Sequence, residues 1–203
     1  MKNQIQVKGT QGYAEATQKF IDATIAICFF DLHRDFIKLI PKSPCRILDI
    51  GAGIGRDSWE FSKMGHSILA VEPTKEYRKA GKKMFLSENI EWLDDALPKL
   101  EKLGKESHFD FIIASAVLHH LDTAEQHSAI KRISELLNNN GIFVVSLRNG
   151  LAGIGTHVFP TDSCKIIKSA ESCGLKTLLV IDNQPSLMKN KENVNWSRLA
   201  FRK

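Results

Sequence analysis

The most constraining feature of the sequence is the stretch at residues 45–72, CRILDIGAGIGRDSWEFSKMGHSILAVE. An apolar run that ends at Ile50 leads into a turn with three glycines, and a second apolar run ends at Glu72. Between them, residues 57–64 have the spacing of an amphipathic helix. The stretch therefore predicts a strand, a tight turn, a helix and a second strand parallel to the first.

The glycine turn has the composition of a ligand-binding loop. Glycine lets the backbone approach a ligand closely, and the helix that follows begins with unpaired N–H groups. Glu72 ends the neighbouring strand, so its carboxylate is expected at the same edge of the sheet, where it suits ribose hydroxyls. A dinucleotide site has a similar pattern. However, Asp49 precedes the turn by two residues, and a carboxylate there would repel a pyrophosphate and attract an amino or sulfonium cation.

The motif DIGAGIGR followed by AVEP resembles the cofactor site of class I S-adenosylmethionine-dependent methyltransferases. This resemblance implies an α/β fold, namely a Rossmann-like three-layer sandwich whose seven-stranded, mostly parallel sheet has an antiparallel last strand. It implies S-adenosylmethionine as the cofactor and S-adenosylhomocysteine as its product. The residues that it assigns to the cofactor are Asp49, Gly51, Ala52 and Gly53 for the methionine part, Glu72 with Pro73 for the ribose, Asp95 (with Asp94 in reserve) and Ala96 for the adenine, and Ser115 beside the sulfonium.

Length and composition limit the architecture. A chain of 203 residues with 43% hydrophobic content has enough apolar residues for one substantial core and leaves no room for a second substrate domain. We therefore expect one structural domain, in which residues 1–44 form a helical cap on a methyltransferase domain at residues 45–203. No apolar run reaches the length of a membrane span and the start, MKNQIQVKG, lacks a signal-peptide core, so we expect a cytoplasmic protein. The four cysteines occur singly, which predicts buried free thiols and no metal site.

Periodicity predicts the remaining elements. Helical spacing extends over residues 13–40, over 129–137 and from a cap at Thr161 or Asp162 to Glu171. Apolar or alternating runs predict further strands at residues 90–93, 109–113, 142–147, 175–181 and 194–201. The resembled fold places the last strand antiparallel between the fifth and the sixth. Residues 182–193 are polar, and we expect them to be mobile.

The segment at residues 109–121, FDFIIASAVLHHL, restricts the methyl acceptor. Amino methyltransferases that act on adenine, exocyclic cytosine or glutamine carry an Asn/Asp/Ser-Pro-Pro-aromatic loop at this point, and cytosine C5 enzymes carry Pro-Cys. This chain has Ser-Ala-Val-Leu from Ser115 onward, so the resemblance disfavours both chemistries. Together with GIGRDSW, DDALP, SLRNG and NWSRLAF, the segment is similar to a group of small stand-alone bacterial methyltransferases.

Two adjacent histidines are the candidates for acid–base chemistry. A histidine near the methyl group can take a proton from an attacking hydroxyl, thiol or amine, because its pKa lies near neutrality. His119 and His120 point about 100° apart at a helix start, so at most one faces a pocket comfortably, and we prefer His119. The alternative is that the pair only caps and packs its loop.

Three residues are candidates for acceptor binding. Tyr13 belongs to the segment that in the resembled family packs over the cofactor, which makes it a lid candidate, or else a tyrosine packed at a helix start. Arg148 follows the fifth strand, where its guanidinium would bind a carboxylate or phosphate or, alternatively, form a surface ion pair. His157 lies in the glycine-rich loop 151–162, where substrate contacts usually vary in this fold.

The predicted activity is methyl transfer from S-adenosylmethionine to an oxygen, nitrogen or sulfur atom of a small molecule. A net charge of +5 is compatible with an anionic substrate and also with nucleic acid, so an RNA methyltransferase is the second choice. A module that binds the cofactor without turnover remains a third possibility. A nicotinamide oxidoreductase is disfavoured because the sequence has no Tyr-x-x-x-Lys pair. The sequence leaves the acceptor and the oligomeric state open.

Overall fold

A computed structural model describes residues 7–104, 106–152, 157–187 and 191–203, and a seven-stranded sheet forms the centre of this part of the chain. The order of strands across the sheet is β3-β2-β1-β4-β5-β7-β6. Neighbours from β3 to β5 are parallel, whereas β7 is antiparallel to both β5 and β6, which confirms the predicted fold class. The strands are β1 Arg46–Ile50, β2 Ser67–Val71, β3 Ile90–Leu93, β4 Phe109–Ser115, β5 Leu137–Asn149, β6 Lys176–Pro185 and β7 Asn195–Arg202.

Apolar residues on both faces of the central strands build the two halves of the core. In β1, Leu48 and Ile50 pack on one face and Ile47 packs on the other, because successive side chains of a strand point in opposite directions. Helices α5 (Thr123–Leu136) and α6 (Ser163–Ser172) cover the first face. Helices α2 (Phe29–Leu32) and α3 (Arg56–Lys63) cover the second. Asp49 has the same strand parity as Ile47 and therefore faces α3.

The helix starts follow from local sequence. Helix α3 begins after Gly55, whose φ of +82° lies in the left-handed region, close to the start that the motif predicts. Helix α5 begins six residues earlier than predicted, because Asp122 and Glu125 form a capping box in which each side chain bonds to the other's backbone N–H. Asp162 caps α6 through the N–H of Lys165. Helix α4 spans Lys75–Met84.

The N-terminal segment differs from the prediction of helix over residues 13–40. Only α1 (Thr17–Thr24) and α2 are α-helical, and short 3₁₀ turns lie at Lys8–Thr10 and Ile37–Leu39. Ile25 of this segment is 41% exposed. The chain instead bends so that Phe29 and Phe36 reach the apolar cluster of α3, and this tertiary burial outweighs the weak helix propensity of a stretch with five isoleucines.

The C-terminal region also departs from expectation. Strand β6 continues to Pro185, into the segment predicted to be mobile, because Gln184 and Pro185 pair with β7 at Trp196 and Asn195. The prediction of mobility is therefore wrong for residues 182–185, and residues 188–190 of that segment lie outside the described residues. Strand β5 begins earlier than predicted because Leu137 pairs with Phe109 across an irregularity in the ladder.

Two further sequence predictions concern membrane-spanning helices and the state of the cysteines. In the described ranges, no helix is long and apolar enough to cross a lipid bilayer. All four cysteines are free, but the prediction that they are buried is wrong: Cys28 and Cys164 are exposed, and Cys45 and Cys173 are partly buried.

The capping box of α5 provides a test of the local helix analysis. Replacing Asp122→Ala removes the acceptor for the Glu125 N–H and should lower the free energy of unfolding by about 1 kcal/mol. Urea unfolding measures the change. The matched control is Ser128→Ala, an exposed position within the same helix, which should leave stability within about 0.5 kcal/mol of the wild type. Equal effects of the two substitutions would contradict a stabilising role of the capping box.

Candidate active site

The carboxyl ends of strands β1 to β5 border one crevice with a volume of about 470 Å³. Cavities of about 300 to 1,000 Å³ are typical of cofactor and small-molecule sites. All of the residues that the sequence assigns to a cofactor line this crevice, namely Asp49, Gly51, Ala52, Gly53, Glu72, Pro73, Asp95, Ala96 and Ser115. The topology thus brings together residues that are as much as 66 positions apart in the sequence.

The glycine turn forms a cradle that side chains would fill. Gly51 has a φ of +68° and Gly53 a φ of +59°, both in the region that favours glycine. A Cβ at Gly51 would lie 2.5 Å from Cγ2 of Val117, and one at Gly53 would lie 3.2 Å from the ring of Phe20. The N–H groups of Gly51 and Ala52 already donate to the Val71 carbonyl, so they are not available to a ligand. What the turn provides is space for a ligand to approach its backbone closely.

Glu72 fixes the turn from the neighbouring strand. Its Oε2 accepts a hydrogen bond from the N–H of Gly53 at 2.9 Å, and its Oε1 accepts one from the N–H of Thr74 at 2.7 Å. Burial raises the pKa of Glu72, and these N–H donors oppose the rise. A carboxylate has about four lone-pair sites, so each oxygen still has room for one more donor from the crevice.

Asp49 is a buried carboxyl at the end of β1. Its Oδ2 accepts the hydroxyl of Ser58 at 2.6 Å. Burial raises the pKa of Asp49 to about 7, and the nearby Asp57 carboxylate adds to the rise, while Ser58 and Arg56 oppose it. A cation bound beside Asp49 would favour its ionised form, because opposite charges at short range stabilise each other.

Asp57 is the centre of a buried cluster that the sequence analysis missed. Its Oδ2 accepts Nε2–H of His33 at 2.7 Å, and its Oδ1 accepts from Arg56 at 2.8 and 2.9 Å. Burial alone would raise the pKa of Asp57, but His33 and Arg56 outweigh it and hold the pKa below its usual range. The cluster ties the N-terminal segment to α3. The sequence could have drawn attention to Asp57, because acidic residues are typical of the first turn of a helix. Nothing in the sequence around His33 predicts that His33 is its partner.

The two candidate acids after β3 occupy different environments. Asp95 lines the crevice, and its oxygens accept from the N–H groups of Ala96 and Lys102, both at 2.8 Å. Asp94 pairs instead with the Arg78 guanidinium at 2.9 Å. Asp95 is therefore the acid positioned to meet a ligand in the crevice.

With one exception, the candidate acceptor residues line the same crevice. Tyr13, His119, His120 and Arg148 line it. His157 does not: its carbonyl oxygen lies 2.9 Å from Nδ1 of His120, and its ring packs against Phe159. His157 therefore lies outside the crevice lining and contacts His120 through its backbone carbonyl. Residues 153–156 of its loop lie outside the described residues.

Aromatic residues that the sequence did not single out complete the lining. Phe20 of α1 stacks on Tyr77 of α4 with ring centroids 4.5 Å apart, and Tyr13 meets both rings edge-on. Trp196 lines the crevice from the start of β7, directly opposite Arg148 in the strand register. Tyr77 follows the AVEP motif by one helical turn and Trp196 belongs to the NWSRLAF motif, whereas Phe20 lies in none of the motifs.

The comparison with known families agrees with this geometry. The sequence profile of the methyltransferase domain family matches residues 47–141. An uncharacterized methyltransferase of Alkaliphilus oremlandii is 27% identical over 106 residues, which cover 49% of this chain and 44% of that protein. The chain spans less than half the length of the curated relatives that it matches.

Solved structures share the fold over almost the whole chain. A TehB-like S-adenosylmethionine-dependent methyltransferase from Corynebacterium glutamicum has a TM-score of 0.69 and 22% identity, covering 94% of this chain and 98% of that one. The 1,6-didemethyltoxoflavin-N1-methyltransferase of Burkholderia thailandensis has a TM-score of 0.72 and 17% identity, covering 94% and 85%. Residues 47–141 of this chain match the methyltransferase domain family, and the described chain has the fold of S-adenosylmethionine-dependent methyltransferases. Both findings agree with the predicted family and fold class.

Within the described ranges, no group of three or more His, Cys, Asp or Glu side chains is arranged to hold a metal ion.

The raised pKa of Asp49 predicts a pH-dependent stability. An unfolded aspartic acid ionises near its usual pKa of about 4, whereas folded Asp49 holds its proton up to about pH 7, so this group's contribution to stability is greatest at acid pH and is lost as pH rises toward 7. Asp49→Asn keeps an acceptor for Ser58 and removes this loss. Its free energy of unfolding relative to wild type should therefore increase, on the order of 2 kcal/mol, between about pH 5 and pH 8.

Denaturant unfolding at the two pH values tests this, with the exposed Asp22→Asn as the matched control. The control should show the same difference from wild type at both pH values. A constant or decreasing difference for Asp49→Asn would refute the assignment.

Proposed function

We propose that this protein is an S-adenosylmethionine-dependent methyltransferase that methylates a small, anionic molecule. The observation that carries the proposal is the set of carboxyl groups, Asp49, Glu72 and Asp95, at the ends of three adjacent strands around the glycine cradle. S-adenosylmethionine presents an ammonium and a sulfonium cation, ribose hydroxyls and an adenine amino group, all of which are donors or positive charges. The lining is complementary to each of them.

The roles follow from position along the crevice. Asp49 and the cradle at residues 51–53 bind the methionine part, because a buried carboxyl favours a cation there. Glu72 accepts the ribose hydroxyls through its remaining lone pairs, and Pro73 adjoins it. Asp95 and Ala96 bind the adenine, and Ser115 on the central strand β4 lies toward the methyl group. When bound, the cofactor supplies an electrophilic methyl group.

Buried polar atoms support the presence of a ligand. Tyr77 and His119 line the crevice, and the buried atoms Tyr77 Oη and His119 Nδ1 have no hydrogen-bond partner in the described part of the chain. Buried polar groups in native proteins are nearly always satisfied, so an unpaired group beside a cavity points to a ligand or ordered water. The two atoms belong to different elements, Tyr77 to α4 and His119 to the turn after β4.

The charged residues of the crevice are unevenly distributed. The acids that line it stand on the side of β1 to β3, together with Lys19 and with Arg56, which pairs with Asp57. The β5 and β7 side carries Arg148 and Lys191 without an acid. In the described residues, no carboxylate lies within 4 Å of the Arg148 guanidinium, whose N–H groups bond to the carbonyls of Gly150 and Leu151. An arginine that keeps unused donors in a cavity is suited to a carboxylate or phosphate of the acceptor. This favours an anionic acceptor at the β5 side.

The protein's own contribution to methyl transfer is mainly positioning. The methyl group on a sulfonium is already a strong electrophile, so alignment of the acceptor atom supplies much of the rate. Arg148, Trp196 and the aromatic residues of the N-terminal segment enclose the acceptor side and exclude water from it.

The ribose role of Glu72 is tested by cofactor affinity. Glu72→Ala removes the acceptor for the hydroxyls and should weaken S-adenosylhomocysteine binding by about 1 to 3 kcal/mol, measured by calorimetry. The control is Glu91→Ala, an exposed position on β3, which should bind like wild type. Unchanged affinity of the folded Glu72→Ala variant would remove the role.

The acceptor role of Arg148 is tested with radiolabelled S-adenosylmethionine and a panel of hydroxybenzoates. Arg148→Ala should raise KM for the carboxylates about 10- to 100-fold, as expected for a lost charged hydrogen bond, and leave KM for their methyl esters nearly unchanged. Arg202→Ala, exposed at the end of β7, is the control. An equal effect on acids and esters, or label transferred only to added RNA, would contradict an anionic small-molecule acceptor.

A further inference from the structure

A chain of three residues connects the N-terminal segment to the acceptor side of the crevice. The Tyr13 hydroxyl lies 3.0 Å from Nε2 of His120, and Nδ1 of His120 lies 2.9 Å from the carbonyl oxygen of His157. The rings of Tyr13 and His120 meet edge-on at 5.5 Å. Both rings line the crevice, whereas the His157 carbonyl stands behind them.

The partners of His120 determine which ring nitrogen carries the proton. A carbonyl oxygen can only accept a hydrogen bond, so Nδ1 of His120 must donate to His157. In the neutral ring, Nε2 is then unprotonated and accepts the O–H of Tyr13. Burial lowers the pKa of His120, which keeps the ring neutral near physiological pH. His120 is thus ready to receive a proton through Tyr13.

We propose that Tyr13 and His120 form a proton relay that deprotonates the methyl acceptor, and that the acceptor atom is a hydroxyl oxygen. The proposal rests on the proposed function, and it deepens it by naming the acceptor group. An amine attacks with a lone pair that it already has, whereas a hydroxyl is a poor nucleophile until its proton is removed. A relay from a phenol to a neutral imidazole therefore fits a hydroxyl acceptor.

The step balances in atoms and charge. The acceptor hydroxyl donates to the Tyr13 oxygen. As the new oxygen–carbon bond forms, the carbon–sulfur bond breaks with its electron pair remaining on sulfur. The acceptor proton moves to the Tyr13 oxygen and the Tyr13 proton moves to Nε2 of His120. The positive charge of the sulfonium is thereby replaced by an imidazolium, whose Nδ1–H remains bound to the His157 carbonyl.

His119, which the sequence analysis preferred, is less suited to this role. It is only 4% exposed, and burial, with the neighbouring His120 and Arg148, lowers its pKa to about 2. Its backbone carbonyl is held in the loop, where it accepts from the N–H of Phe159 at 2.7 Å. The partnered histidine is His120, and the buried one packs beside it with ring centroids 4.0 Å apart.

Two neighbours adapt the site to the relay. Arg148 lies near enough for a Tyr13 phenolate to raise the pKa of the guanidinium, against the lowering effect of burial, so the same charge stabilises negative charge developing on Tyr13. The Arg148 charge also adds to the lowering of the His120 pKa by burial, which keeps that ring neutral until the proton arrives. Gly9 packs against His120, where a Cβ would come within 2.9 Å of the His120 Cβ. The N-terminal segment therefore approaches the histidine closely enough to place Tyr13 on it.

The first test needs no acceptor. Long-range ¹H–¹⁵N NMR spectra of ¹⁵N-histidine-labelled protein, with His120→Gln assigning the signal, should show His120 neutral with the proton on Nδ1 at neutral pH. Tyr13→Phe should shift the Nε2 resonance because the O–H donor is lost. A proton on Nε2 of His120, or an Nε2 resonance that does not respond to Tyr13→Phe, would overturn the relay.

The second test separates proton removal from positioning. Radiolabel transfer is compared between para-hydroxybenzoate and its derivative with a nitro group beside the hydroxyl, which is already ionised at mildly alkaline pH. Tyr13→Phe and His120→Gln should each lower kcat for the first acceptor about 100-fold and for the second less than about 3-fold. His127→Gln, exposed on α5, is the matched control and should leave both rates unchanged.

The outcomes distinguish the relay from the proposed function. Equal losses on both acceptors would mean that the pair only positions the acceptor, which overturns the relay. Binding of S-adenosylhomocysteine without turnover of any hydroxyl acceptor in the panel would overturn the hydroxyl assignment and leave cofactor binding intact. Failure to bind S-adenosylhomocysteine would overturn the proposed function itself.

Discussion

The hydrogen bonds of the Glu72 carboxylate determine the shape of the crevice. A buried carboxylate is costly unless donors satisfy it, and the N–H groups of Gly53 and Thr74 do so from two different segments. The bond to Gly53 holds the glycine turn against the end of β2, while the bond to Thr74 orients the start of α4. The cradle is therefore formed by the fold itself. This preorganisation means that little binding energy is needed to order the site when a ligand enters.

The position of the N-terminal segment is fixed by contacts at the same edge of the sheet. The His33–Asp57 hydrogen bond joins α2 to α3, Phe29 and Phe36 fill the apolar cluster beside it, and Tyr13 then reaches His120. Because the His33–Asp57 pair and the buried rings of Phe29 and Phe36 hold the C-terminal part of this segment, the Tyr13 hydroxyl has a defined position. The acceptor side of the crevice thus has one wall from the sheet and another from residues that precede β1.

The sequence predicted the parts of the site that local pattern determines. Asp49, the glycine turn and Glu72 lie in one strand–turn–helix–strand unit, so their approximate positions follow from periodicity and parallel topology. Asp95 was assigned by resemblance, and it lines the crevice because β3 ends beside β2. By contrast, the His33–Asp57 pair and the Tyr13–His120 contact join residues 24 and 107 positions apart, and no local pattern specifies such pairs. The break of the predicted helix at residues 13–40 and the extension of β6 have the same origin, because tertiary packing and strand pairing outweighed local propensity.

The central claim is that the crevice binds a cationic sulfur nucleoside. Parallel calorimetric titrations of the purified protein with S-adenosylmethionine, S-adenosylhomocysteine and NAD test it most directly. The arrangement of Asp49 beside the glycine turn predicts binding of both sulfur nucleosides and none of NAD, because the Asp49 carboxylate repels a pyrophosphate. Binding of NAD alone would contradict the assignment of the crevice from Asp49 onward.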